Sequence, residues 1–310
     1  MNIVSKPRIA VMIPCYNEQA TVGKVVDDFR EQLPEASIYV YDNNSTDNTA
    51  TIARQHGAIV IPEPRQGKGY VIESMFGDVD ADVCVMVDGD DTYPADCVHK
   101  LLEPVIKGQA DMAVGARLAE YTEKSFRPLH VAGNHLVRHL INRIFNADLH
   151  DILSGYRAFN RKFITNVPVV SQGFEVETEL TIQMLYYRLK VVEVVVPYRE
   201  RPAGSVSKLN TFSDGFRVLW KLFNLFRTFK PLTFFGTLCL VFFFMAVLAG
   251  LPPVVGYIQS GFTEVRRFPL AILATGLMLM SCGFAFLGLI LNAINWRFRE
   301  LHNIIVRRRV

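Results

Sequence analysis

Two long apolar segments near the carboxyl end limit what this chain can fold into more than any other feature. They run from Pro231 to Leu251 and from Phe268 to Ile294, and a helix needs about 20 residues to cross a hydrocarbon core. No residue from Leu238 to Leu251 is charged, and this stretch is apolar on every side, which argues against a buried helix of a soluble core. We therefore expect two transmembrane helices.

The charges around these segments predict their orientation. Arg227 and Lys230 precede the first segment, and the last residues of the chain carry the arginines Arg297, Arg299, Arg307, Arg308 and Arg309. Positive charge next to a span favours the cytoplasmic side. Arg266 and Arg267 in the connecting hairpin weaken this rule without reversing it. We expect an integral membrane protein with both termini and its polar domain on the cytoplasmic side.

Composition excludes several other classes of protein. A formal net charge of +3 is too small to imply nucleic-acid binding, so no nucleic-acid partner is expected. The five cysteines form no Cys-x-x-Cys pair, which argues against a disulfide framework or a zinc site. The first residues lead into a strand pattern without an apolar signal region, so no cleaved targeting segment is expected.

Before Pro231 the hydrophobic pattern alternates between strands and helices. The predicted strands are Arg8–Pro14, Ser37–Tyr41, Ala58–Ile61, Val83–Val87, Asp111–Gly115 and Lys190–Val196. The predicted helices are Glu18–Leu33, Thr46–His56, Gly69–Phe76, an interrupted Leu129–Phe145 and Glu177–Arg188. This order predicts an α/β fold with a mostly parallel, Rossmann-like sheet, which binds ligands outside the carboxyl ends of its strands.

Four regions follow from these patterns. Residues 1–211 are expected to form the α/β domain, residues 212–230 an amphipathic interface helix, residues 231–296 the transmembrane hairpin and residues 297–310 a basic cytoplasmic tail. The interface helix is predicted because apolar residues recur on one side of it and basic residues lie between them. An ordinary surface helix packed on the domain is the alternative.

An acidic motif follows the fourth predicted strand. Asp88 and Asp90 are separated by Gly89 in the sequence Val-Asp-Gly-Asp-Asp-Thr-Tyr-Pro. Two carboxylates at a strand end can engage Mg²⁺ or Mn²⁺ and, through the metal, a diphosphate that needs neutralising when it leaves. A solvated acidic loop is the alternative. The Gln66–Gly69 segment lacks the spacing of a phosphate-binding loop and is interpreted only as a flexible turn near the site.

Two further motifs follow the first and second predicted strands. Pro-Cys-Tyr-Asn-Glu ends at Glu18, and Asp-Asn-Asn-Ser-Thr-Asp-Asn-Thr begins at Asp42. The Asp42 carboxylate can accept hydrogen bonds from a base or a ribose, and the Ser and Thr of its motif can cap the next helix. A simple turn with a helix cap is the alternative for this second motif.

In this order the motifs resemble those of the family-2 glycosyltransferases of GT-A fold. Motifs beyond residue 114 resemble the branch of dolichyl-phosphate mannose synthase and the bacterial polyprenyl-phosphate glycosyltransferases; they are Gly115-Ala-Arg117, Ser154–Phe159, Phe174–Glu179 and Tyr198–Lys208. The resemblance covers nearly all of Arg8 to Leu219, and the two-span tail is similar to that of membrane-anchored members. It implies transfer of a sugar from a UDP- or GDP-linked donor to a polyprenyl phosphate at the cytoplasmic membrane face, with inversion.

The resemblance also assigns roles to individual residues. It implies that the nucleotide-sugar is bound by Pro14, Tyr16, Glu18, Asp42, Asp88, Gly89, Arg201 and Lys208. Asp88 and Asp90 would hold the metal, whereas Arg117 and Arg157 would bind the acceptor phosphate. Related synthases often have Gln two positions beyond the second Asp of the metal motif, and Thr92 stands there in this chain. Whether Thr92 ligates the metal therefore stays open.

The chemistry of a phosphate acceptor supports a site rich in cations. Because the acceptor is already ionised at neutral pH, the reaction needs little help from a general base and more from groups that bring two anions together. The expected catalytic residues are Asp90, Arg117 and Asp151. Asp151 is the candidate carboxylate near the reacting centre, and the alternative is that it orients Arg157.

Two other functions are compatible with a GT-A domain that is joined to membrane helices. A processive polysaccharide synthase would need more spans to form a channel and a Gln-x-x-Arg-Trp motif, and neither is visible in the sequence. A non-catalytic scaffold would not need the intact Asp88, Asp90 and Arg117. The sequence identifies neither the sugar nor the polyprenol, and the transmembrane helices are candidates for a homo-oligomer interface.

Overall fold

The computed structural model describes residues 6–117, 128–173, 175–202, 220, 222–265 and 267–309, apart from the side chains of 128–134, 136, 302–303 and 305–309. The chain divides into two compact units, Met1–Leu222 and Phe223–Val310. The first unit contains the strands and the motifs that follow them, and the second contains the two long apolar helices.

The first unit alternates strands and helices as predicted. Its strands are β1 (Ile9–Cys15), β2 (Ser37–Asp42), β3 (Ile59–Pro62), β4 (Val83–Met86), β5 (Met112–Arg117), β6 (Arg157–Asn160) and β7 (Val191–Val196). Its helices are α1 (Val22–Gln32), α2 (Thr49–Gln55), α3 (Lys68–Asp78), α4 (Val98–Ile106), α5 (Pro128–Phe145), α6 (Arg161–Asn166) and α7 (Val176–Tyr187). The predicted interruption of α5 is wrong, because this helix is continuous.

The seven strands form one mostly parallel sheet in the order β3-β2-β1-β4-β6-β5-β7. Strand β6 is the exception, because it runs antiparallel to both β4 and β5. Its first residue therefore lies at the edge of the sheet where the parallel strands end. This edge collects the loops that follow β1, β2, β4, β5 and β7, together with the turn that precedes β6. The expected Rossmann-like sheet is confirmed.

The core lies on both faces of the central strands. All four residues of β4 are buried, and most of β1 is buried as well, as expected of strands that are covered by helices on both sides. Helix α1 covers one face with a stripe of apolar side chains at helical spacing, Val22, Val25, Val26 and Phe29. Burial of such a stripe is the main source of stability for a short amphipathic helix.

The start of α3 packs unusually closely against the chain before α7. The Gly69 amide donates to the carbonyl of Gln172 at 3.0 Å, and a Cβ at Gly69 would overlap the carbonyl of Ser171. Gly67 has φ +140° and lies against the same backbone. Only glycine permits both the backbone angle and the close approach. The predicted flexible turn is therefore a fixed contact between two segments.

The second unit consists mainly of α8 (Pro231–Gln259) and α9 (Phe268–Arg309). Both are long and apolar enough to cross a membrane, and only 11% and 6% of their most apolar stretches are buried, unlike the core helices of soluble proteins. The Ser281 hydroxyl donates to the carbonyl of Cys239 at 2.9 Å and joins the two helices. Helix α9 continues to Arg309, so the arginines of the predicted tail belong to it.

Most of the predicted interface helix lies outside the described residues. Within that region the structure describes Trp220 and residues 222–229, and these are helical. Leu222 and Leu225 are buried, whereas Trp220 and Phe223 are exposed.

We predict that Gly69→Ala destabilises the first unit, because the added methyl group overlaps a backbone carbonyl. Overpacking of this kind costs about 1–3 kcal/mol, and the thermal unfolding midpoint in detergent, measured by circular dichroism, should fall by several degrees. Gly77→Ala is the matched control, because it lies in the same helix and a Cβ there meets nothing within 4 Å. Equal midpoints for the two variants would contradict the packing argument.

Candidate functional site

Hydrogen bonds join the loops that follow β1 and β2 into one surface. The Asn17 amide donates to Ser45 Oγ at 2.9 Å, and Asn17 Oδ1 accepts from the Thr46 amide at 2.7 Å. The Glu18 amide donates to Thr49 Oγ1 at 2.8 Å. The predicted capping role of the Ser and Thr is wrong, because these side chains contact the first loop. It is Asp47 Oδ1 that accepts from the Thr49 amide at the start of α2.

The residues expected to bind the nucleotide surround this joined surface. Asp42 is the last residue of β2, and Pro14 is the last but one of β1. The two strands are adjacent, and Pro14 pairs with Tyr41, the residue before Asp42. Tyr16 is exposed, whereas Glu18 is buried. The Asp42 Oδ1 atom is buried and accepts no hydrogen bond from any described residue. A buried carboxylate oxygen usually has a donor, so this atom is a ready acceptor for a ligand.

The acidic motif forms a buried loop directly after β4. Asp90 is only 4% exposed, and its Oδ1 accepts from Thr92 Oγ1 at 2.6 Å and from the Thr92 amide at 3.2 Å. Its Oδ2 lies 2.5 Å from Arg201 Nη2, and the other terminal nitrogen of Arg201, Nη1, lies 3.8 Å from Glu18 Oε1. Gly89 packs so closely on Cys15 that a Cβ would touch its sulfur, and the Gly89 carbonyl accepts from Thr21.

Asp88 is held by a lysine that the sequence analysis did not single out. Lys68 Nζ lies 2.6 Å from Asp88 Oδ1 and 2.5 Å from Glu177 Oε1. On its other side, Asp88 packs against Gly155, where a Cβ would overlap the carboxylate. The Gly-Lys-Gly sequence around Lys68 could have pointed to this residue, but its spacing matches no phosphate-binding loop. Glu177, the partner of Lys68 on α7, is more than 100 residues away in the sequence.

Arg117, at the end of β5, forms a two-pronged ion pair with Asp151. The distances are 2.6 Å from Nε to Oδ2 and 2.8 Å from a terminal nitrogen to Oδ1. The Asp151 amide in turn donates to Glu193 Oε1 on β7 at 2.8 Å. Of the two alternatives for Asp151, the structure thus supports orientation of an arginine, but the arginine is Arg117 and not Arg157.

Tyr93 and Tyr198 connect the acidic loop with this ion pair. Their rings meet edge to face at 5.3 Å, and the Arg117 guanidinium lies 5.4 Å from the centre of the Tyr198 ring. The Tyr93 hydroxyl accepts from the Gly155 amide at 3.2 Å. Asp88, Asp90, Arg117 and Arg201 therefore surround one patch at the carboxyl edge of the sheet.

Arg157 does not reach this patch. It is completely buried, and its guanidinium donates to the carbonyls of Ser154, Ile152 and Glu177 and to the Thr181 hydroxyl. Burial lowers the pKa of Arg157. The expected acceptor-phosphate role of Arg157 is therefore wrong for this geometry. It links the turn before β6 to helix α7. Lys208, which was expected to bind the nucleotide-sugar, lies outside the described residues.

The pKa values of the two aspartates that face arginines, Asp90 and Asp151, shift in opposite directions. Burial and the neighbouring Asp88 raise the pKa of Asp90, although Arg201 and Thr92 oppose the shift. Burial acts in the same direction on Asp151, but the Arg117 ion pair outweighs it and lowers the Asp151 pKa. Asp151 is thus a balanced counter-ion, whereas the surroundings of Asp90 disfavour its negative charge, and a further cation beside it would favour that charge.

Among the described residues, no group of three or more His, Cys, Asp or Glu side chains could hold a metal ion. Any metal at Asp88 and Asp90 would need oxygen ligands from water or from a bound molecule. Hard cations such as Mg²⁺ commonly bind in this way, through one or two carboxylates and the phosphates of a substrate.

Comparisons with known proteins agree with this fold. The Mycobacterium tuberculosis glucosyl-3-phosphoglycerate synthase, solved with Mn²⁺, uridine diphosphate and glucosyl-3-phosphoglycerate, superposes with a TM-score of 0.59 at 23% identity, over 71% of this chain and 80% of that one. This likeness confirms the GT-A fold. Glycosyltransferase AglJ of Haloferax volcanii is 33% identical over 74% of this chain and 75% of its own length.

A second relative bears on the branch of the family. The dolichyl-phosphate hexose transferase of Haloferax volcanii is 33% identical over 67% of this chain and 89% of its own length. The family model described as glycosyl transferase family 2 matches residues 10–167, which include all but the first residue of β1, the strands β2 to β6 and the acidic loop. On its sequence and its fold, the chain belongs to glycosyltransferase family 2.

Proposed function

We propose that this glycosyltransferase transfers a hexose from a UDP- or GDP-linked donor to a polyprenyl phosphate, of the undecaprenyl or dolichyl type. One observation carries the proposal: two aspartates and two arginines surround one patch at the carboxyl edge of the sheet. Such a patch suits a reaction in which two anions must meet. The similarity to the Haloferax dolichyl-phosphate hexose transferase supports the choice of acceptor.

The donor nucleotide would bind over the joined loops that follow β1 and β2. Asp42 has a buried oxygen without a donor among the described residues, which suits the imide N–H of uracil, the N–H groups of guanine or a ribose hydroxyl. Tyr16 is exposed at the same edge and offers a ring face to the base. Pro14 and Glu18 complete the surface between these two residues.

A divalent metal, Mg²⁺ or Mn²⁺, fits the residues that would receive the diphosphate. Asp88 and Asp90 would hold it, because their oxygens are hard donors and a divalent cation would offset the repulsion between the two carboxylates. When bound, such a metal would stabilise the charge that develops on the leaving diphosphate. Thr92 already donates to Asp90, so it would orient this carboxylate for the metal.

The acceptor phosphate would be bound by arginines. Arg117 is held rigidly by Asp151, which makes it a fixed cation against which a phosphate can be oriented. Arg201 lies against Asp90 in the same patch. Lys208 is proposed as a further phosphate ligand. Because the phosphate oxygen itself attacks the sugar, a single displacement would invert the configuration at the anomeric carbon.

The two apolar helices support a membrane location for this reaction, with both termini in the cytoplasm. A polyprenyl acceptor is confined to the bilayer, and α8 and α9 are long enough to anchor the enzyme there. Homo-oligomerisation through these helices is proposed as well. The function is tested by incubating the detergent-solubilised protein with a panel of UDP- and GDP-sugars, a polyprenyl phosphate and Mn²⁺ or Mg²⁺. The proposal requires a lipid-extractable, sugar-linked product with at least one donor.

We predict that Asp90→Asn lowers sugar transfer at least about 100-fold, because a carboxylate is lost where the leaving diphosphate needs a metal. Asp91→Asn is the matched control. Asp91 is the next residue along the same loop and pairs with Lys24 instead, so its variant should keep most of the activity. Undiminished wild-type turnover in excess chelator would refute the metal dependence.

We predict that Arg201→Ala lowers kcat or raises the donor KM even in detergent with a short, soluble prenyl phosphate. The reason is the loss of a cation that lies 2.5 Å from Asp90 in the site. Arg199→Ala removes an exposed arginine two residues earlier and serves as the control. If Arg201 only contacted lipid headgroups, the kinetics in detergent would stay unchanged and only binding to anionic vesicles would fall.

We predict that alkaline phosphatase inserted after Gly261 is active in a bacterial host, whereas the same enzyme fused after Val310 is inactive. Alkaline phosphatase folds only outside the cytoplasm because it needs disulfides. A fluorescent protein that folds in the cytoplasm, fused after Val310, controls for expression. An active phosphatase after Val310 would reverse the proposed orientation.

A further inference from the structure

A largely buried lysine, Lys68, lies between the acidic loop and helix α7 and contacts a carboxylate on each of them. Lys68 Nζ is 2.6 Å from Asp88 Oδ1 and 2.5 Å from Glu177 Oε1. The Lys68 side chain is 12% exposed and that of Glu177 is 6% exposed. A buried ion pair needs good geometry to offset the cost of desolvating its charges. Such an arrangement fixes the position of both partners much better than a surface pair does.

The backbone that carries Lys68 is fixed as well. Gly67 and Gly69, on either side of it, pack against the carbonyls of Gln172 and Ser171. That segment is itself tied to α7, because buried Glu179 accepts from the Ser171 amide at 2.6 Å. Helix α7 thus holds Lys68 twice, through the carboxylate of Glu177 and through the backbone that Glu179 anchors.

Asp88 has little freedom to turn away from this lysine. Gly155 closes its other side so tightly that a Cβ there would overlap the carboxylate, and the Tyr93 hydroxyl holds the Gly155 amide at 3.2 Å. Lys68 Nζ contacts Oδ1, while Gly155 lies against Oδ2 and the rest of the carboxylate. The orientation of Asp88 is therefore set from two sides by groups outside its own loop.

We propose that Lys68, held by Glu177, is a positioning residue that orients the Asp88 carboxylate for the metal–diphosphate of the donor. The inference rests on the proposed function, and it deepens that function by adding two residues that no comparison assigns. Partners that orient metal-binding carboxylates commonly change metal affinity about 10- to 100-fold when they are removed. The same lysine, shared with Glu177, also offsets part of the negative charge of Asp88 in the absence of donor.

The test measures Mn²⁺ binding to the full-length, detergent-solubilised protein in the presence of saturating UDP or GDP. Lys68→Met should weaken Mn²⁺ binding about 10- to 100-fold, and Lys68→Arg should restore much of the affinity. Glu177→Gln should weaken it by a smaller factor, because Lys68 loses one of its two anchors. In transfer assays the same variants should raise the half-saturating Mn²⁺ concentration.

Lys24→Met is the matched control. Lys24 also bridges two carboxylates, Asp28 at 2.6 Å and Asp91 at 2.8 Å, but it is half exposed and contacts neither Asp88 nor Asp90. Its removal should leave Mn²⁺ affinity unchanged. A loss of affinity in Lys24→Met equal to that in Lys68→Met would mean that any lysine near this loop acts by charge alone, and it would overturn the positioning role.

Other outcomes separate the inference from its alternatives. If Lys68 only stabilised the fold, Lys68→Met would lower the thermal midpoint and leave Mn²⁺ affinity unchanged, which overturns the proposal. If Lys68 bound the diphosphate directly, Glu177→Gln would free it and leave binding unchanged or tighter, which also overturns it. A wild-type protein that binds neither nucleotide with Mn²⁺ would overturn the proposed function and this inference together.

Discussion

Repulsion between two neighbouring carboxylates is the constraint on which the rest of this site depends. Asp88 and Asp90 share one loop, and burial and this repulsion together raise the pKa of Asp90. Charged groups of this kind are stable in a protein interior only when cations or hydrogen-bond donors compensate them. Lys68, Arg201 and Thr92 provide this compensation from three separate parts of the chain. The strands and helices that carry these residues are thereby held in one arrangement around the loop.

The arginines divide between two tasks that their residue type does not distinguish. Arg157 is completely buried and donates to backbone carbonyls, so its charge holds the turn before β6 to α7. Arg117 pairs with the carboxylate of Asp151 beside the tyrosine pair. A phosphate can approach an arginine only where its guanidinium is not already enclosed by the protein's own acceptors. This explains why the motif Ser154–Phe159, which contains Arg157, wrongly predicted a phosphate ligand.

Much of the fold was predictable because hydrophobic periodicity is a local property. Strand β4 and helix α1 carry clear patterns of their own, and the acidic motif directly follows β4. Strand β6 was missed because four residues, Arg-Ala-Phe-Asn, are too few to show alternation. The pairing of Lys68 with Glu177 was missed for a different reason. It depends on tertiary packing between segments that are more than 100 residues apart. Hydrophobic periodicity does not predict which distant segments pack together.

The reversed direction of β6 has a topological consequence. Arg117 ends β5, and Arg157 begins β6 as its antiparallel neighbour, so the chain between them leaves and re-enters the sheet at the same edge. An insertion bounded in this way can change in length or sequence without shifting the register of any strand pair. Residues 118–150 can therefore vary in this way, whereas Asp151 and Gly155, just before β6, are fixed by their contacts with Arg117 and Asp88. Relatives with the same sheet could acquire different acceptors through this one excursion.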